Sequence, residues 1–290
     1  MTTLALLNMK GGVGKTILAV NLAAYLHQAY ASNVLLVDLD PQFNATQYVL
    51  DFKTFEQQRK AGHTIASLLI DQPKLALKGK KQVDQKSKVH KAVLNLKSLK
   101  GKRLDLLPSE LELAWAVKNP AQMEFRLEKL LEVLRPNYDY IVIDCAPTDS
   151  VLTTMALTAS DFLLIPMRPD RFSILGFANL MECVNTFKKN SQDPHQVKIL
   201  GIVFTQVTQQ TPVQSQSMQE VADVAKKDKV HLFTNKLSWS NSFQRSVRDQ
   251  TPIFLTQYAQ AHVRSMIGKI TAEVLGQMNS ANIQPKKGKK

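Results

Sequence analysis

The chain has 290 residues, 44% of them apolar, enough to bury a substantial core and near the upper size for one domain. Lys and Arg outnumber Asp and Glu by 37 to 24, a net charge of +13 that favours polyanionic partners such as nucleic acid or an anionic membrane surface. Two cysteines, Cys145 and Cys183, exclude a disulfide framework and a cysteine-rich metal site and fit a reduced, cytoplasmic protein. No apolar run approaches the roughly 18 residues of a spanning helix, and no positive segment precedes the first apolar residues as in a signal peptide.

In chain order, "TLALLN" is a short continuous apolar run that predicts a strand buried on both faces. It feeds "MKGGVGKT" and then "TILAVNLAAYLHQAY", whose length and lack of breakers predict a helix. "NVLLVDLD", "YDYIVIDCAP", "DFLLIPMRP" and "KILGIVFTQ" repeat the apolar run. Helix-length segments lie at Glu124–Leu134, Gly176–Lys189 and Gln216–Lys227. This alternation predicts an α/β fold, a mostly parallel twisted sheet with helices on both faces. Ligands of such sheets sit at the carboxyl ends of the strands, where the glycine loop, Asp38, Asp40, Asp144 and Pro166 fall.

Residues 74–103 hold eleven Lys or Arg against one acidic residue, Asp84, and read as a basic, partly mobile insertion, either a solvated loop or a polyanion contact. One domain is expected over 1–278, with a basic, disordered tail over 279–290. The stripe Val263, Met266, Ile267, Ile270, Val274 and Met278 has helical spacing. It reads as a core-packing last helix in preference to a membrane-inserting one.

A phosphate-binding P-loop reads G-x-x-x-x-G-K-[ST], yet Met9 stands where its first glycine belongs, and a second lysine, Lys10, follows. The candidate nucleotide-binding run is Lys10, Gly11, Gly12, Val13, Gly14, Lys15, Thr16 and Ile17. Its glycines allow successive backbone N–H groups to turn onto phosphate oxygens, and the helix that follows adds its positive end. Lys15 neutralises the β and γ phosphates, and Thr16 places its hydroxyl on Mg²⁺. Lys10 has no evident task within one subunit.

The pattern K-G-G-V-G-K-T resembles the deviant Walker A motif of the ParA/MinD family of P-loop ATPases, nearest its partition members, and the likeness extends over nearly the whole chain. It implies that Lys10 crosses a dimer interface so that ATP is sandwiched between two copies. It also implies that Asp40, in "VLLVDLDPQFNAT", positions or activates the attacking water, that Asp38 supports the Mg²⁺ shell, and that Asp144, in "YDYIVIDCAP", binds Mg²⁺ through water. The catalytic set is then Lys10, Lys15 and Asp40, and the metal set Thr16, Asp38 and Asp144. Phe43 stands where the family has glycine, Asp170 replaces a usual Glu, and "TNKLSWSNSFQRS" lacks the usual residues near the adenine.

The resemblance implies slow hydrolysis used as a timer: the ATP dimer binds a surface, and a ParB-like or other cargo adaptor triggers release. Nonspecific DNA is the expected surface, with Lys188, Lys189, Arg245, Arg248, Arg264 and Lys269 as candidate contacts. Nucleoid association and no operator recognition follow, since the loop at residue 9 leaves no room before it for a helix-turn-helix. A MinD-like membrane ATPase and a metabolic P-loop ligase are the alternatives. An iron–sulfur electron carrier lacks its cysteines.

Overall fold

A five-residue strand, β1 (Thr2–Leu6), opens the chain, and a glycine turn passes it to α1 (Lys15–Tyr30). The structure is a computed structural model that describes residues 1–70, 85–190, 197–208 and 211–283. β2 (Val34–Leu39) leads into three short helices, α2 (Asn44–Val49), α3 (Phe52–Lys60) and α4 (Ile65–Ile70). Then follow α5 (Gln85–Ala92), β3 (Leu94–Leu99), β4 (Lys102–Leu107), α6 (Ala114–Lys118), α7 (Arg126–Leu134), β5 (Tyr140–Cys145) and α8 (Val151–Ala159). The last third holds β6 (Phe162–Met167), α9 (Ser173–Asn190), β7 (Lys198–Val207), α10 (Pro212–Lys227), β8 (Leu237–Ser238), α11 (Asn241–Arg248) and α12 (Ala261–Ile283).

The strands form one sheet in the order β3-β4-β2-β5-β1-β6-β7-β8, parallel except for the β3–β4 pair. Side chains alternate across it. Leu4, Leu6, Leu36, Val142 and Leu164 pack under α1, α2, α11 and α12, while Ala5, Leu7, Val37, Ile143 and Ile165 meet α4 to α10. Because both faces are covered, the central strands are apolar throughout, which is why they are legible as continuous runs. Gly201, at a register shift between β6 and β7, has φ +146°, and a Cβ there would lie 2.3 Å from the His231 carbonyl oxygen. The backbone of 231 closes onto the strand at that point.

Two expectations change. Residues 74–84 of the basic segment lie outside the described residues, but from 85 onward it is integral structure rather than a loop. α5 buries Val89 and Ala92, and β3 pairs antiparallel with β4 through a turn with φ 49° at Lys100 and 76° at Gly101, the left-handed pair that a two-residue hairpin requires. Lys97 sits on the edge strand β3, where charge blunts edge-to-edge pairing. At the other end α12 runs to Ile283, beyond the boundary expected at 278. Its stripe is core: Val263, Ile267, Ile270 and Val274 are fully buried and Met278 nearly so. Among the described residues no helix is long and apolar enough to cross a membrane.

Candidate functional site

β1 delivers the chain to the carboxyl edge of the sheet, where residues 9–14 turn before α1 begins. Gly12 and Gly14 adopt φ +70° and +80°, and Cβ atoms at Gly11 or Gly12 would meet nothing within 4 Å. The loop therefore presents open backbone, the form of an anion cradle at a helix N-terminus. Asn8 shapes the entry: its side-chain amide donates to the Pro166 carbonyl at 2.8 Å, and its Oδ1 accepts the Lys10 N–H at 2.9 Å. From the far side, Thr205 Oγ1 donates to the Val13 carbonyl at 2.5 Å and Gln206 Nε2 to the Gly12 carbonyl at 2.9 Å. The sequence did not mark Asn8, Thr205 or Gln206 as site residues. Their polar side chains ending apolar strands are the signal that could have found them.

The two loop lysines point in different directions. Lys15 is buried, its Nζ donating to the carbonyls of Asn8 and Lys10 at 3.2 Å each. Burial lowers its pKa, against the attraction of Asp144, Cys145 and Asp40. Lys10 Nζ instead turns to Asp170, 2.7 and 2.6 Å from its two carboxylate oxygens, with the Phe172 ring centroid 5.5 Å away. Burial works against the Asp170 carboxylate, but hydrogen bonds from Lys10 and Ser173 hold its pKa below the usual range.

Asp38 and Asp144 are partners in the β2–β5 register, and the parity of the strands puts both on the α1 face of the sheet. Thr16 Oγ1 donates to Asp144 Oδ2 at 2.7 Å, while Asp144 Oδ1 is buried with no hydrogen-bond partner. Burial, then the neighbouring Asp38 charge, raises Asp144 to about 8. Asp38 Oδ2 accepts from Thr46 N at 2.7 Å and Thr46 Oγ1 at 2.8 Å, and its Oδ1 accepts from Asp40 N at 3.2 Å. Burial raises Asp38 to about 7 against the hydrogen bonds from Thr46. Asp40 Oδ1 accepts from Gln42 N at 2.8 Å. Phe43, in the family's glycine position, keeps the left-handed φ of 43° and stacks on Phe55, ring centroids 5.1 Å apart.

A buried carboxylate oxygen without a donor, beside a threonine hydroxyl and a lysine, fits a divalent cation held by one carboxylate, phosphate oxygens and water. Among the described residues no three His, Cys, Asp or Glu groups form a metal cage of their own.

The six candidate DNA contacts do not share a face. Lys188 and Lys189 end α9, in the layer of α4 to α10, whereas Arg245, Arg248, Arg264 and Lys269 belong to α11 and α12 on the opposite layer. Arg264 gives a guanidinium N–H to the Thr256 carbonyl at 2.6 Å, and Arg245 lies 4.0 Å from the Tyr258 ring centroid and 3.7 Å from an Asp249 oxygen.

A parallel α/β sheet whose first strand opens onto a glycine cradle, with a lysine beneath it and a threonine bonded to a strand-end aspartate, defines a P-loop nucleotide-binding fold. A family profile described as an AAA domain matches residues 1–198. The chain is 34% identical over 220 residues to the chromosome partitioning protein ParA of Myxococcus xanthus, covering 76% of this chain and 70% of that one. It is 33% identical over 222 residues to the sporulation initiation inhibitor protein Soj of Bacillus subtilis, covering 75% and 78%. The chain belongs to the ParA/MinD-type family of P-loop ATPases. Cyanothece McdA, 22% identical, shares the fold with a TM-score of 0.74 over 95% of this chain and 100% of its own.

Proposed function

We propose that the protein is a partition or positioning ATPase: it dimerises on Mg·ATP, binds nonspecific DNA, and is released when a partner protein stimulates hydrolysis. The divergence of the two loop lysines carries this reading. Lys15 lies under its own cradle, whereas Lys10 turns out of it to the partly exposed Asp170 carboxylate, from which it can exchange to a phosphate presented by a second copy. Lys10, Lys15 and the backbone from Gly11 to Ile17 hold the triphosphate. Thr16 and Asp144, with Asp38 behind them, would hold the cation, which would supply charge neutralisation of the phosphates. Asp40 orients the attacking water. The relatives named ParA and Soj, similar over most of their length, support partition over the ligase alternative, and the burial of the α12 stripe removes the feature that would favour a membrane.

The test is binding to random-sequence DNA and, in parallel, to anionic liposomes, each with ATP, ADP and no nucleotide across a salt series. ATP-dependent, salt-sensitive DNA binding is expected. Liposome binding without DNA binding would overturn the proposal. Asp40→Ala is expected to retain ATP and the dimer, and a monomeric Asp40→Ala protein with ATP bound would contradict it.

A further inference from the structure

We infer that Gln206 is a positioning residue of the phosphate cradle: from a strained point in β7 it holds the Gly12 carbonyl so that the next N–H faces the phosphates. This role rests on the proposed binding of ATP at that loop. Among the described residues, seven other than glycine take a left-handed φ. Six of them stand at helix ends or in turns, whereas Gln206, at φ +53°, lies inside a strand. In the β7–β8 pair Thr205 is level with Leu237 and Val207 with Ser238, so Gln206 is the extra residue of a bulge. Bulges are rare in parallel pairs, and beside a site they re-aim a side chain.

Here the side chain is aimed at the cradle. Its Nε2 donates to the Gly12 carbonyl at 2.9 Å and lies 3.6 Å from where a Cβ on Gly14 would be, so the amide spans the two left-handed glycines of the loop. The neighbouring Thr205 Oγ1 donates to the Val13 carbonyl. In a planar trans peptide the C=O and the following N–H point opposite ways. Tying the carbonyls of Gly12 and Val13 to β7 therefore turns the N–H groups of Val13 and Gly14 away from β7, to the side where a glycine loop receives phosphate oxygens. Among the described residues neither N–H gives a hydrogen bond to the backbone.

The bond from Gln206 is exposed to solvent, where water could serve the Gly12 carbonyl nearly as well. Stability therefore gives no reason to keep a glutamine in a conformation that its Cβ disfavours. Strain held beside a ligand site has a reason in preorganisation. Donors fixed before the phosphates arrive need no ordering on binding, so more of their attraction appears as affinity.

The experiment is calorimetric titration of the full chain with ADP and, separately, with pyrophosphate, beside thermal melts without ligand. Gln206→Met keeps the length of the side chain and removes the donor, and it is expected to weaken ADP and pyrophosphate alike, about fivefold to tenfold. Gln206→Ala and Gln206→Gly should show at least that loss. Gln206→Gly should nevertheless melt about 2–4 °C above Gln206→Ala, because glycine relieves the left-handed backbone. A residue that only held the fold together would lower melting and binding in step, and the glycine variant is expected to part them. ADP bound by Gln206→Met as tightly as by wild type, a loss confined to ADP, or Gln206→Gly melting no higher than Gln206→Ala would overturn the assignment. If wild type and Lys15→Ala bind ADP equally poorly, the cradle itself is misread and the assignment falls with it.

Discussion

Lys10 Nζ sits between both carboxylate oxygens of Asp170, at 2.7 and 2.6 Å, within a single copy of the chain. Each side chain is a little over one quarter exposed, so solvent screens the pair and its contribution is at most about 1 kcal/mol. That is weak enough to be exchanged for a phosphate. Asp170→Asn removes the competitor, and the ATP concentration for half-maximal dimerisation should fall by up to about fivefold. Lys10→Ala should abolish ATP-dependent dimerisation. Sedimentation velocity across an ATP series measures both, and an Asp170→Asn protein that needs more ATP would show that the pair assists the dimer.

Thr46 links the second aspartate motif to the segment after β4. Its hydroxyl accepts the Ser109 N–H at 2.9 Å and donates to Asp38 at 2.8 Å. The fixed donor leaves the hydroxyl proton one direction to point, towards the carboxylate. Thr46→Val keeps the volume but strands a buried N–H and removes one of the donors to Asp38, costing about 1–3 kcal/mol. A thermal melt without nucleotide should fall by roughly 2–4 °C per kcal/mol lost, and Thr46→Ser should recover most of it. A Thr46→Val protein melting like wild type would mean that the network is not formed.

How much of this was legible depended on which physical constraint each residue answered to. The five strands at the centre declared themselves because burial on both faces removes polar residues from them. The phosphate loop did so because only glycine and lysine at those spacings build it. β3 and β4 were hidden by Lys97, Lys100 and Lys102, whose charges mask the alternation of Leu94 and Leu96, both partly buried. Asn8, Thr205 and Asp170 could not be assigned from spacing, because their partners lie about 160 to 190 residues away and only the fold brings them together. The basic residues were read as a sum, and the sheet divides them between its two faces.

Cys183 lines a cavity of about 650 Å³ together with Glu124, Phe125, Asp149 and Glu182. Burial, then the Asp149 carboxylate 3.4 Å from its Sγ, pushes the thiol up to about 12. Since the thiolate is the nucleophile, alkylation at pH 8 should be on the order of a thousandfold slower than for a free cysteine. Asp149→Asn removes the repulsion and should speed labelling by iodoacetamide in a Cys145→Ala background. Rapid labelling of the unchanged site would show that the carboxylate does not govern it.

The division of the cations tests the DNA surface directly. Arg248 and Lys269 are exposed in the layer of α1, α11 and α12, and Lys189 is exposed at the end of α9 in the other layer. A duplex lying along one face of a subunit reaches only one of these sets. Arg264 is engaged by the Thr256 carbonyl and Arg245 by Tyr258 and Asp249; Arg248 also meets Asp249, at 3.5 Å, but its side chain is 79% exposed, so it and Lys269 have the greater freedom to follow phosphates. Each phosphate neutralised contributes about −0.9 to the slope of log K against log salt. The double variant Arg248→Ala, Lys269→Ala should therefore flatten that slope by about 1.8 per subunit, and Lys189→Ala should leave it near the wild-type value. Fluorescence anisotropy with random-sequence DNA and ATP, at several salt concentrations, gives both slopes, and the reverse result would move the DNA to the α9 face.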